Sequence, residues 1–216
     1  MQIVKNSGSI DMRNTMYPSI ANLLQPQQSF AQPAWSTCYG IVLEGTVKLY
    51  NNKTVVAYEY FCIVNNTDQP QNIVSLGTSA VFTRLGFLGQ NSIGGPIEKT
   101  GRLSYIDGCS DSLLVYPPRQ GDPSLNLLVF PAEIDQTFHL HPSVRLGIVV
   151  SGNGTSCLKT QDIALDPGTM FCLEPQEIHR FSTQETGMCI VIYHPDGNWG
   201  PTDHDHVMIN RTYLHK

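Results

Sequence analysis

His139 and His141 stand one residue apart in the run TFHLHPSVRLGIVVSGNG, which otherwise alternates as a strand does. On a strand, residues i and i+2 share a face, so both imidazoles project from one side of the sheet. That is how an extended segment offers two nitrogens to one metal ion. The pair alone also fits a surface accident or two hydrogen-bonded core rings, and only a third donor makes it a ligand set.

A third histidine follows. In LDPGTMFCLEPQEIHRF a turn at Asp166-Pro167-Gly168 leads into a strand, then Pro175 and His179, with another β-rich run behind it. Elsewhere helical periodicity is scarce, and what recurs is short β-prone runs broken by Gly, Pro, Asn and Asp, such as VVAYEYFCIV, SAVFTRLGFL and MCIVIYH. An all-β sandwich or barrel accounts for this pattern. A turn or two of helix is expected only near YPSIANLLQPQ.

The chain also repeats itself. YGIVLEGTVKLYNN at 39–52 resembles LGIVVSGNGTSCLK at 146–159, and each is followed by a strand-like run. The turn-rich LGQNSIGGPIEKTGR, residues 88–102, has the composition of a connector between the copies. Halves of about a hundred residues are small for independent domains, so the two are expected to pack together.

At these residues the sequence resembles the cupin family, small β-barrels whose two motifs run roughly G-x5-H-x-H-x(3,4)-E-x6-G and G-x5-P-x-G-x2-H-x3-N. His139 and His141 match the H-x-H, Gly152 the closing glycine, and His179 the histidine of the second motif. Arg145 stands where the glutamate ligand would be, and Glu133 where the first glycine would be. The second motif, Pro175-Gln176-Glu177-Ile178-His179, is one residue short and lacks its glycine.

The resemblance implies a bicupin, two packed β-sandwich or jelly-roll barrels with few short helices. Residues 1–104 would form a degenerate barrel without metal ligands, and residues 105–216 a barrel that binds metal through His139, His141 and His179. Three neutral imidazoles leave a divalent ion open positions, as catalytic sites require. The likeness to three-histidine cupin dioxygenases favours Fe(II), while Zn, Ni, Cu and Mn suit the same donors. Edge-strand pairing into a homodimer is a further implication of the family.

Two more residues could take part. Arg145 reads either as a rim arginine paired with an acid or as an anion clamp whose guanidinium forks onto a carboxylate, provided Pro142 introduces no bulge that turns it from the histidine face. Glu177, two residues before His179, reads as a solvated loop residue or as a fourth ligand or general base. The tail holds His194, His204 and His206 among Asp203 and Asp205, a Gly- and Pro-containing segment that reads as loop or as a second metal-binding stretch, with Trp199 as a candidate lid or partner-barrel contact. No histidine precedes His139, so the first half has no imidazole site to offer.

Composition excludes several classes. A net charge of -5 offers no basic field to a phosphate backbone, so nucleic acid is not an expected partner. No apolar stretch approaches the roughly 20 residues of a membrane span, and MQIVKNSGSIDM lacks the apolar segment of a signal peptide, so a cytoplasmic protein is expected. The six cysteines form no C-x-x-C pair and read as buried free thiols. Two functional classes stay open. One is a metal-dependent cupin oxygenase acting on a small, carboxylate-bearing molecule, with a non-redox isomerase or lyase as its variant. The other is a zinc or small-ligand binding sensor without turnover.

Overall fold

The computed structural model describes residues 1–197 together with Thr202 and His204. Its strands in the first half of the chain are β1 (Gln2–Val4), β2 (Gly8–Met12), β3 (Ser19–Leu24), β4 (Ser29–Gln32), β5 (Ser36–Glu44), β6 (Thr46–Lys48), β7 (Thr54–Val56), β8 (Tyr60–Asn65), β9 (Gln71–Ser75), β10 (Thr78–Leu85) and β11 (Ser92–Gly94). The second half adds β12 (Leu103–Ser104), β13 (Ser110–Val115), β14 (Ser124–Phe130), β15 (Arg145–Gly152), β16 (Gly154–Leu158), β17 (Asp162–Leu165), β18 (Met170–Leu173), β19 (His179–Ser182) and β20 (Met188–His194). One 3-10 turn, Ile106–Gly108, is the only helical element among the described residues. The expected all-β architecture is what forms.

Four sheets are stacked as layers. A six-stranded sheet (β11-β8-β5-β10-β3-β2) shares a core with a four-stranded one (β4-β9-β6-β7), built around Phe61, Ile63, Val42 and Ile73. A seven-stranded sheet (β1-β18-β15-β20-β14-β13-β12) faces a three-stranded one (β17-β16-β19) across Phe130, Phe171, Phe181 and Ile190. The two large sheets then pack back to back, with Tyr39, Ile41, Phe82, Leu146, Ile148 and Tyr193 between them.

This explains why GIVLE and GIVVS are apolar at nearly every position rather than at alternate ones: the central strands are covered on both faces. Along β15, Leu146, Ile148 and Val150 point into the layer between the large sheets, while Val149 points the other way. Along β20, Val191 and Tyr193 do the first, and Met188, Ile190 and Ile192 the second. The repeat survives in detail. Gly40 pairs with Phe61, and Gly147 pairs with Phe171. In each case a Cβ on the glycine would lie within 2.4 Å of the ring, so the cross-strand phenylalanine occupies the place of the missing side chain. Gly45 and Gly152, five residues on, both end their strands with φ near +70°.

One local expectation differs. YPSIANLL forms strand β3, not helix, because Ala21 and Leu23 fill the core from alternate positions beside β10. Strand β1, from the start of the chain, joins the second half by pairing with β18. Strand β12, which ends at Ser104, pairs with β13. All six cysteines are free, five of them buried. No helix among the described residues is long and apolar enough to cross a membrane.

Candidate metal centre

The segment carrying His139 and His141 is extended but is not a full strand. It is stitched to β19 by isolated bridges, Asp135 with Ser182 and His139 with His179. Gln136 N–H donates to Phe181 O at 3.0 Å, and Gln176 N–H to His141 O at 2.8 Å. Alternation still holds along it. Phe138 and Leu140 face outward, with Lys159 Nζ 4.2 Å above the Phe138 ring, while His139 and His141 turn inward.

His139, His141 and His179 converge, with their candidate ligand nitrogens all within 4.8 Å of one another. Ring centroids are 4.5 Å apart for His139 and His179, and 5.2 Å for each of the other pairs. The rings are also oriented. His139 Nδ1 lies 2.8 Å from Thr137 O, and His179 Nδ1 lies 2.8 Å from Glu177 O. A backbone carbonyl only accepts, so each Nδ1 carries the hydrogen and each Nε2 presents a lone pair, the arrangement that outer-shell carbonyls impose on metal-binding histidines. His179 Nε2 is buried with no hydrogen-bond partner. Such an orphan is costly unless something absent from the chain satisfies it.

Protonation state agrees. Burial, then the Arg145 charge and the neighbouring imidazoles, push His141 down to about 3. Burial likewise brings His179 down to about 4, against the opposing hydrogen bond to Glu177 O. Both rings are therefore neutral near pH 7, as a ligating imidazole must be. Donor type, convergence, tautomer and charge all fit a divalent cation. No other group of three or more potential ligands gathers among the described residues, and the first half contributes nothing to this one.

His139 and His141 open onto a cavity of about 260 Å³ between the three- and seven-stranded sheets. Arg145, at the start of β15, lines it and is 7% exposed. Its Nη1 donates to Ser143 Oγ at 2.5 Å and to Val144 O at 3.0 Å, and stands 3.6 Å from Asp196 Oδ1. Its Nε is buried and unpartnered. Burial lowers the Arg145 pKa, and Asp196 works against that shift. The side chain is thus held by one nitrogen, leaving the Nε edge for another acceptor.

Glu177 is placed differently. Its carboxylate accepts from the Met1 amine and from Glu174 N–H, and what it offers His179 is its main-chain carbonyl. His194, read from sequence as part of a loop tail, is instead the last residue of β20 and lines the cavity. The strand alternation of MCIVIYH was the signal that could have found it. His204 is exposed and outside the cluster, and Trp199, Asp203, Asp205 and His206 lie outside the described residues.

Comparisons agree with this fold. The model for the AraC-like ligand binding domain matches residues 132–199, the stretch that carries all three histidines and Arg145. No curated protein matches the sequence. Among solved structures, a putative glyoxylate induced protein from Pseudomonas aeruginosa is similar at TM-score 0.63 and 14% identity, over 92% of this chain and 83% of that one. A cupin 2 conserved barrel domain protein from Leptotrichia buccalis gives 0.59 and 13%, over 89% and 88%. A salicylate 1,2-dioxygenase variant from Pseudoaminobacter salicylatoxidans, in complex with gentisate, gives 0.55 and 11%, over 88% and 73%. The chain has a cupin fold.

Proposed function

We propose that this chain is a bicupin enzyme that holds a divalent metal, Fe(II) by preference, on His139, His141 and His179 and acts as an oxygenase on a small carboxylate-bearing molecule. Residues 1–104 serve as a scaffold barrel and residues 105–216 as the metal barrel, with β1 crossing to the second. The observation that carries the reading is the convergence of three imidazoles, two with Nδ1 already committed to a backbone carbonyl. A bound ion would supply Lewis-acid or redox chemistry at its open positions. The chain's own part is to orient and enclose. Arg145 turns its unpartnered Nε toward a substrate carboxylate, and the apolar walls at Leu128, Phe130, Leu173 and Ile192 exclude water. Glu177 acts as a positioning residue through its carbonyl.

The matched ligand-binding domain model favours a second reading, a sensor that binds a small ligand without turnover. Metal content of protein purified without chelator, measured beside oxygen uptake over a panel of small carboxylates, separates the two. Iron with substrate-dependent uptake supports the oxygenase. Tightly held zinc with no uptake supports the isomerase, lyase or sensor alternatives.

A further inference from the structure

The cavity has a second polar pole, on the wall that β13 and β14 of the seven-stranded sheet contribute. In register, Asp111 on β13 lies opposite Leu128 on β14, and Leu113 lies opposite Asn126, so Asp111 and Asn126 share one face. That face continues across β20, where Ser124 pairs with His194 and Asn126 with Ile192. It is the face that lines the cavity, and both Asp111 and Asn126 are among the lining residues.

Asn126 is fixed in orientation. Its Oδ1 accepts from Ser124 Oγ at 2.9 Å, which turns its amide donor toward Asp111, at 3.0 Å from Oδ2 and 3.3 Å from Oδ1. A carboxylate offers about four lone-pair sites, and one amide group cannot fill them. Asp111 forms no ion pair among the described residues, and burial raises its pKa. The chain has thus placed an acid on the wall of the chamber beside Leu128 and Ile192, braced it from behind, and left acceptor capacity facing inward.

We infer that Asp111, braced by Asn126 and Ser124, is a specificity residue that accepts a hydrogen bond from a hydroxyl or amino group of the substrate. This rests on the reading of Arg145 as the carboxylate clamp. Together the two poles select a molecule with an acidic group at one end, a hydrogen-bond donor at the other, and an apolar skeleton between Leu128, Phe130, Leu173 and Ile192. A skeleton without the donor leaves Asp111 desolvated and unpaired, and that penalty is what discriminates.

Benzoate and its monohydroxy and monoamino derivatives share one carboxylate and one skeleton and differ only in the donor. They are titrated anaerobically into the metal-loaded protein. At least one derivative should bind about tenfold tighter than benzoate, as one satisfied hydrogen bond to a charged acceptor allows. Asp111→Asn, nearly isosteric, should bring that derivative to within about threefold of benzoate while leaving metal content unchanged. A wild-type protein that holds metal and binds benzoate with no gain from any donor overturns this inference and leaves the metal site standing, and that comparison needs no variant. An advantage that survives Asp111→Asn overturns it as well. A protein that holds no metal and binds no member of the set overturns both readings.

Discussion

His139 and His179 are joined by a two-way backbone bridge, each amide donating to the other's carbonyl at 2.9 Å, and their rings lie 4.5 Å apart. Two candidate ligands distant in sequence are thus positioned by main-chain hydrogen bonds that no side-chain substitution removes. His179→Ala should therefore leave the β-rich circular dichroism spectrum intact and still weaken metal binding by more than about 100-fold, beyond what loss of an outer-shell partner costs. Metal stoichiometry after gel filtration measures it, and full retention by the triple variant of His139, His141 and His179 to alanine would remove the site from consideration.

Glu177 supplies a contrasting case. Its carboxylate is engaged with Glu174 N–H and the Met1 amine, while its carbonyl holds His179 Nδ1. Glu177→Gln keeps that carbonyl. Metal content should stay within about twofold of wild type, since it is the main-chain carbonyl and not the carboxylate that orients His179. A loss of metal as deep as that of His179→Ala would assign the carboxylate a ligand or base role.

Much of this was legible in the residues themselves, and the remainder has a physical cause. His139, His141 and His179 declare themselves because a period of two fixes the first pair and a turn-strand-proline pattern sets up the third. Gly40 and Gly147 show in the repeat because a glycine that a phenylalanine covers from the next strand has no substitute. The missing motif glycines also make sense, since Glu133 and Gln176 sit at φ +58° and +64° and keep the turns that glycine would make more easily. By contrast, β3 was misread as helical because SIANLL carries two apolar periods at once, and only pairing with β10 chooses between them. The Asp111–Asn126–Ser124 wall was invisible because it depends on register between strands, which no local pattern encodes. The crossing of β1 has no signal in a three-residue strand.

The glycine-phenylalanine pairs can be tested for stability alone. Gly147→Ala puts a methyl group where the Phe171 ring tip stands, 2.4 Å from its Cζ, and overpacking of this kind costs about 1–3 kcal/mol. Denaturant unfolding should show that loss for Gly147→Ala and a similar one for Gly40→Ala, where the distance to Phe61 Cζ is 2.2 Å. Unchanged midpoints would mean that the rings turn aside freely.

Acid should destabilise the metal-free protein through the same histidines. Unfolded, each titrates near 6.5, whereas in the fold His141 is brought down to about 3 and His179 to about 4. A base whose folded pKa is depressed favours the unfolded state once that state gains protons, so the contribution is complete above about pH 6.5 and is lost as pH falls toward the folded values. Guanidinium unfolding at successive pH values should show stability declining below about pH 6.5 more steeply in wild type than in His141→Gln, which lacks one of the two groups. Identical slopes in the two proteins would show that His141 titrates in the fold as it does in the open chain.

In the proposed function, Arg145 is the residue that would make the substrate an acid. Its Nη1 is spent on Ser143 and Val144, with Asp196 3.6 Å away, and its buried Nε has no partner among the described residues. An unsatisfied buried donor on a charged group costs more than a neutral one, and a bound carboxylate would remove that cost. Arg145→Leu should keep metal content and lose carboxylate binding, by about 10-fold or more for a hydrogen bond to a charged group, whereas His139→Ala should lose the metal itself. Arg145→Lys keeps the charge but not the forked geometry, so it should recover only part of the affinity. Benzoate titration beside metal analysis separates the variants. If Arg145→Leu binds benzoate as wild type does, Arg145 serves only to tie Ser143 and Asp196 to the start of β15, and the substrate need carry no negative charge.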